Sequence, residues 1–307
     1  MDRSAIDYLN YLENSDPFFY KNFKDFIIYA SGLNKHLLDE EYLVLKESKK
    51  NDYKISLKDK QTTINIIKNF FYKISPNIIK QIDFDVNNKN IEFLPIFEFS
   101  STYGRMIMSG GNYKIQIADT SKIDESFRLV REYAHLFAGN LLDAEGVDRG
   151  LKKVYVEVIT SLTEFALAKH LSNNNTLKND SNNYINRKLY DAIYNMNDSY
   201  MTLIYLGYLL ENKSHEEMLE NLGSQEVINK LDNIIKSKKP CNDYVSTLGT
   251  TIALRIANSC DNIFDLVNTY YIKAASLDIN FFVEQINMEL DQEKAVNEIT
   301  YYIRNNK

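Results

Sequence analysis

Tryptophan is absent from this chain of 307 residues, and proline (4), glycine (10), cysteine (2) and histidine (4) are all scarce. So few glycines and prolines argue against an all-β chain, whose many turns are built from those residues. The two cysteines, Cys241 and Cys260, lack metal-ligand spacing, and a reducing compartment fits them best. The formal charge is −6 and the isoelectric point about 5.4, with no long block of either sign. A nucleic-acid partner needs a basic face and is not expected. Long apolar runs are missing too. The longest, Leu203-Ile-Tyr-Leu-Gly-Tyr-Leu-Leu210, falls far short of the roughly 18 residues that span a bilayer. The start, Met1-Asp2-Arg3-Ser4, has no apolar stretch behind basic residues. The expectation is a cytoplasmic protein with no membrane partner, in the producing cell or in a host cell.

What is abundant is ordinary for a globular protein: 44% hydrophobic and 25% charged residues, with 22 Tyr and 16 Phe. A chain of this length holds one large or two modest domains and a sizeable core. Asn, Lys and Ile are heavily used, which reads as nucleotide bias in the genome.

Chemistry concentrates in residues 123–171. The run Ile123-Asp-Glu-Ser-Phe-Arg-Leu-Val-Arg-Glu-Tyr-Ala-His-Leu-Phe137 has helix spacing, with Phe127, Val130, Ala134 and Phe137 on one side. Within it, Arg131-Glu132-Tyr133-Ala134-His135 is the zinc-peptidase pattern H-E-x-x-H with Arg in place of the first His. In that pattern two imidazoles one helix turn apart grip zinc and the Glu polarises its water. A second helix-period stretch, residues 154–171, places Glu157 26 residues after Arg131 and Glu164 two turns further on. Upstream, the run from Gly104 through Gly110, Gly111 and Tyr113 to Asp119 reads as a Gly-punctuated turn followed by a strand that leads into the first helix.

These residues together resemble the zinc oligopeptidases typified by thimet oligopeptidase and oligoendopeptidase F, over roughly residues 100–290. The resemblance implies a zincin-like oligopeptidase catalytic-domain architecture. Asp124 and Glu125 match its acidic helix start, Glu132 the general base, His135 a zinc ligand and Glu157 the third ligand. Thr160 stands where the family has Ser, and Glu164 matches the carboxylate that supports the ligands. Asp243-Tyr-Val-Ser-Thr-Leu-Gly249 resembles the Tyr-bearing catalytic helix, which makes Tyr244 the transition-state donor. The resemblance also implies an edge strand that aligns peptide by main-chain bonds, with Gly104, Gly110 and Gly111 as a loop over the cleft and Tyr113 on the strand behind it. The plain alternative for these glycines is a set of hairpin turns. Two departures bear on activity. Arg131 occupies a ligand position, and the family's C-terminal substrate-binding His has no counterpart among His36, His135, His170 and His215.

At an effective dielectric of about 20, a divalent ion and a guanidinium ~4 Å apart repel by about 8 kcal/mol. No cofactor is therefore expected, and zinc only if the protein is an active enzyme. Without metal, Arg131 facing Glu157 makes a bidentate pair, joined by Glu132, that neutralises an otherwise isolated carboxylate. Three functions remain open: an inactive oligopeptidase scaffold that binds a peptide or protein partner, a working zinc peptidase that recruits Glu164, and a non-enzymatic helical interaction protein.

The whole chain reads as mainly α with a small β-sheet. Residues 1–80 form an N-terminal helical lobe and 81–307 the peptidase-like domain. In the latter, 81–119 are the small sheet, 120–171 the two active-site helices and 184–307 a helical remainder. Residues 61–72 have helix spacing. Asp83-Phe-Asp-Val86, residues 91–99 and Tyr113-Lys-Ile-Gln-Ile117 alternate as strands do. The polar run 172–183 reads as a surface loop. Helices are expected at 185–195, 198–211, 214–222, 225–237, 244–258, 263–275, 280–290 and 292–304. Ser214 and Glu217 form a cap signature that leaves His215 exposed. His170 reads as a cation at a helix end, and His36 as structural. Nothing indicates the oligomeric state.

Overall fold

The computed structural model describes residues 2–17, 20–21, 40–50, 52–99, 103–141, 149–239, 243–273 and 301–302. They are mainly helical, with one three-stranded sheet. The N-terminal part contributes α1 (Arg3–Ser15), α2 (Glu40–Lys50) and α3 (Lys60–Phe71). Asp59 caps α3 by accepting the Thr62 amide at 2.7 Å, and Ile64, Ile67, Phe70 and Phe71 form its buried stripe. The next helix, α4 (Pro76–Asn87), starts with proline at its first turn, where no amide is needed.

Helix α4 overturns one expectation, because Asp83-Phe-Asp-Val86 is helical and not a strand. Its apolar residues Phe84 and Val86 are exposed, while the acid between them, Asp85, is fully buried. The buried positions are Ile78, Ile82 and Asp85, a helical spacing that the local alternation disguised. Asp85 is held by the Tyr113 hydroxyl at 2.8 Å, the Tyr133 hydroxyl at 3.0 Å and the Asn90 amide at 2.9 Å. The expected division at 80/81 falls inside α4, and the sheet begins only at Ile91.

The sheet has the order β1-β3-β2, with β1 (Ile91–Pro95) parallel and β2 (Gly104–Ser109) antiparallel to the central β3 (Asn112–Asp119). Gly110 and Gly111, at φ of +57° and +83°, close the two-residue hairpin that joins β2 to β3. Ile115 and Ile117 point into the core. On the opposite face Arg105, Gln116, Glu92 and Lys114 bond to one another across the strands.

Strand β3 runs into α5 (Asp124–Leu141), and Glu125 fastens the join. Its buried carboxylate accepts the amides of Thr120 and Ser121 at 2.8 and 2.6 Å, the Thr63 hydroxyl at 3.1 Å and the Lys60 ammonium at 2.7 Å. After α5 come α6 (Arg149–Leu171), α7 (Lys178–Leu210), α8 (His215–Leu222), α9 (Gln225–Lys236), α10 (Asp243–Ser259) and α11 (Ile263–Lys273). The two helices expected at 185–195 and 198–211 are one, and α7 begins inside the polar run 172–183. That run is no simple surface loop, since Asp180 is buried where it accepts the amides of Lys54 and Ile55 at 3.0 and 2.6 Å. Ser214 and Glu217 make the expected capping box, with His215 exposed. His170 does not behave as a helix-end cation. Burial and then the Lys73 ammonium push its imidazole below the usual range, and it meets Phe70 edge-on. The helices expected at 280–290 and 292–304 and His36 lie outside the described residues, apart from 301–302.

One buried cluster joins Tyr8, Phe70 and Phe71 of the N-terminal helices to Tyr133, Val158, Ile252 and Val267. Among the described residues no helix is long and apolar enough to cross a membrane.

Candidate functional site

Helix α5 buries Phe127, Val130 and Ala134, and this sets the direction of its two flanks. Arg131 turns toward α6 and the buried Glu132 toward the start of β2. The Arg131 guanidinium meets Glu157 side-on, with one nitrogen 3.1 Å from Oε1 and the other 2.8 Å from Oε2, and it lies 3.6 Å from Glu164 Oε2. The expected bidentate pair is present. Glu132 is not part of it, because no described residue is hydrogen-bonded to its carboxyl.

Lys188 on α7 is the group that sequence reasoning missed. Its ammonium lies 3.3 Å from Glu157 Oε1 and 2.8 Å from Glu164 Oε2, so each carboxylate meets both cations. One turn earlier on α7, the Tyr184 hydroxyl donates to Glu164 Oε1 at 2.6 Å, and its ring stacks on Phe127 at 4.0 Å. A signal was available, since Tyr184 and Lys188 stand one turn apart beside the buried Ile185 and Leu189, on the same side of their helix.

The remaining candidates divide. His135 is half-buried on α5, one turn from Arg131. Thr160 turns its hydroxyl back to the Val156 carbonyl at 2.7 Å and takes no part. The neighbouring Ser161 serves instead, with its hydroxyl 3.5 Å from Glu157 Oε1 and 3.4 Å from the Thr250 hydroxyl. Tyr244 lies in α10, which packs against α6, but its side chain is outside the described residues. Gly110 and Gly111 are an exposed hairpin turn at the far end of β2, with Gly110 six residues and roughly 20 Å from Gly104. They form no loop over Glu132. Tyr113 points inward to Asp85 and is structural. Gly104 does meet the site: a Cβ there would lie 3.1 Å from Glu132 Oε1.

Charge and burial set the protonation. Burial raises the Glu132 carboxyl to about 7, with Arg131 pulling it down and Glu164 adding to the rise. Burial lowers the His135 imidazole to about 4, helped by the Arg131 charge. For Glu157 burial acts upward, but Arg131 and then Lys188 outweigh it and hold the carboxylate at about 2. At neutral pH His135 is thus an uncharged imidazole beside the ionised Glu157.

These residues do not fit zinc. A catalytic zinc takes three protein ligands and an open position. Here both oxygens of Glu157 already face cations, and the described residues contain no group of three His, Cys, Asp or Glu that could hold an ion.

Helix α10 crosses α6 at Gly249, where a Cβ would come 2.5 Å from the Glu157 Cβ. Gly249→Ala should therefore cost about 1–3 kcal/mol through overpacking, read as a lower urea midpoint, because the backbone of either helix must shift. No family model matches this chain, and no curated protein and no solved structure is significantly similar to it.

Proposed function

We propose that the protein is an inactive oligopeptidase scaffold of zincin-like architecture, in which an ion pair occupies the place of the zinc and the adjoining cleft binds an extended peptide. The observation that carries this reading is the meeting of Arg131 and Glu157, from positions 26 residues apart, in the places where the resembled family has a ligand each. The edge of the sheet beside the ion pair supports it. The Tyr103 carbonyl accepts the Ala118 amide at 2.8 Å, so residues 103, 105, 107 and 109 face β3, and the main-chain groups of Gly104, Met106 and Met108 face the outer edge, which no strand among the described residues pairs. Gly104 lets that edge pass close to Glu132. A peptide added there gains main-chain bonds as a fourth strand. Catalysis is lost because Glu132 has no metal-bound water to activate. A cytoplasmic setting goes with this reading, and Cys260 is a free thiol.

The test is fluorescence anisotropy with quenched, extended peptides, with and without a chelator. Saturable binding that the chelator leaves unchanged, without cleavage, is the expected result. Stoichiometric zinc with chelator-sensitive cleavage would instead establish a working peptidase. Absence of binding to any peptide would leave a helical interaction protein.

A further inference from the structure

The proposed scaffold, on which this inference rests, leaves a question of charge. A zinc ion brings two positive charges, and a single arginine replaces only one. We infer that Lys188 supplies the second, so that Arg131 and Lys188 together are the metal's electrostatic replacement and jointly exclude a divalent cation.

The cluster balances only if both are counted. Glu157 and Glu164 have side chains 7% and 0% exposed, and the Lys188 side chain is 10% exposed. Two carboxylates this deep require two cations or one divalent ion, because an unbalanced buried charge is strongly unfavourable. The contacts are shared and not paired off: Lys188 lies within 3.3 Å of Glu157 and 2.8 Å of Glu164, while Arg131 bonds both Glu157 oxygens and approaches Glu164 at 3.6 Å. Tyr184 satisfies the other oxygen of Glu164 at 2.6 Å. Restoring a histidine at position 131 alone would leave the lysine beside any ion that entered, with three positive charges facing two negative ones. Removing both cations leaves two negative charges, which one zinc would balance.

Zinc titration by calorimetry and thermal melting of three variants tests this. Arg131→His with Lys188→Met should bind one zinc per chain, and zinc should raise its melting temperature. Arg131→His alone should bind at least roughly a hundredfold more weakly, from the repulsion of a divalent ion by an ammonium a few ångströms away. Lys188→Met alone should melt lower than the unmodified protein and take up no zinc. Equal zinc affinity in the single histidine variant and the double variant would overturn the role given to Lys188 while leaving the scaffold reading intact. Two folded variants that both refuse zinc would show that His135 and Glu157 form no metal seat, and the scaffold reading would fall with them. If the double variant does not fold, Lys188→Gln replaces it. A second change, Glu164→Gln, should then recover most of the melting temperature lost in Lys188→Gln, and a further drop would overturn the pairing.

Discussion

Exchanging Arg131 for methionine should lower the free energy of unfolding by about 3 kcal/mol, as read by urea titration at neutral pH. The methionine keeps most of the side-chain volume and removes the charge, so the loss is electrostatic. Glu157 would keep only the Lys188 ammonium, which Glu164 also needs, and two buried carboxylates would share one cation. The figure lies at the low end of the range for a broken buried pair because the Arg131 side chain is 29% exposed and water relieves part of the imbalance. Arg131→Lys should recover only part of the loss, since an ammonium cannot bond both Glu157 oxygens in the plane of a guanidinium fork. The expected order of stability is arginine, lysine, methionine. A methionine variant within about 0.5 kcal/mol of the parent would identify the pair as an ordinary surface ion pair and remove the reason for placing it at the centre of the protein.

The parts of this architecture that could be read in advance are those whose partners lie nearby in sequence. Helix α3 follows from the spacing of Ile64, Ile67 and Phe70, and the hairpin follows from two adjacent glycines between alternating strands. Two of the misreadings share one physical cause, the burial of polar residues by distant partners. Asp85 broke the helical pattern of α4 because Tyr113 and Tyr133 make burial of its carboxylate favourable. Asp180 made the start of α7 look like a loop because the amides it serves belong to residues 54 and 55. The site follows the same rule. Arg131, Glu157 and Glu164 were visible because a spaced motif tied them together, whereas Lys188, 31 residues beyond Glu157, belongs to no such motif and has only its spacing from Tyr184 to mark it. Thr160 and Ser161 show the limit of motif matching: the residue at the matched position bonds its own helix, and its neighbour faces Glu157.

Stability should respond to pH in opposite senses at Glu132 and His135, and Glu132→Gln separates the two. The folded protein holds the Glu132 proton up to about 7, while the unfolded chain releases it near the usual 4.5. Between those values the folded state binds more protons, so this group's contribution to stability is largest at acid pH and is lost as pH rises toward 7. Full desolvation would make the loss about 3 kcal/mol. His135 acts oppositely. Its folded value is about 4 against the usual 6.5, so in that window the unfolded chain binds the extra proton and stability rises with pH. The two nearly cancel between 4.5 and 6.5, so together they add little pH dependence to the unmodified protein there. Glutamine mimics the protonated carboxyl and removes its titration, so Glu132→Gln should gain stability steadily from pH 4.5 to 6.5, and its advantage over the parent should keep growing to about pH 7. A constant difference between the two proteins from pH 4.5 to 7.5 would mean that water reaches this carboxyl freely. The result also bears on the proposed docking of peptide at the edge of β2. A Glu132 that is half protonated near neutrality, close to the free edge at Gly104, can donate to or accept from a peptide backbone.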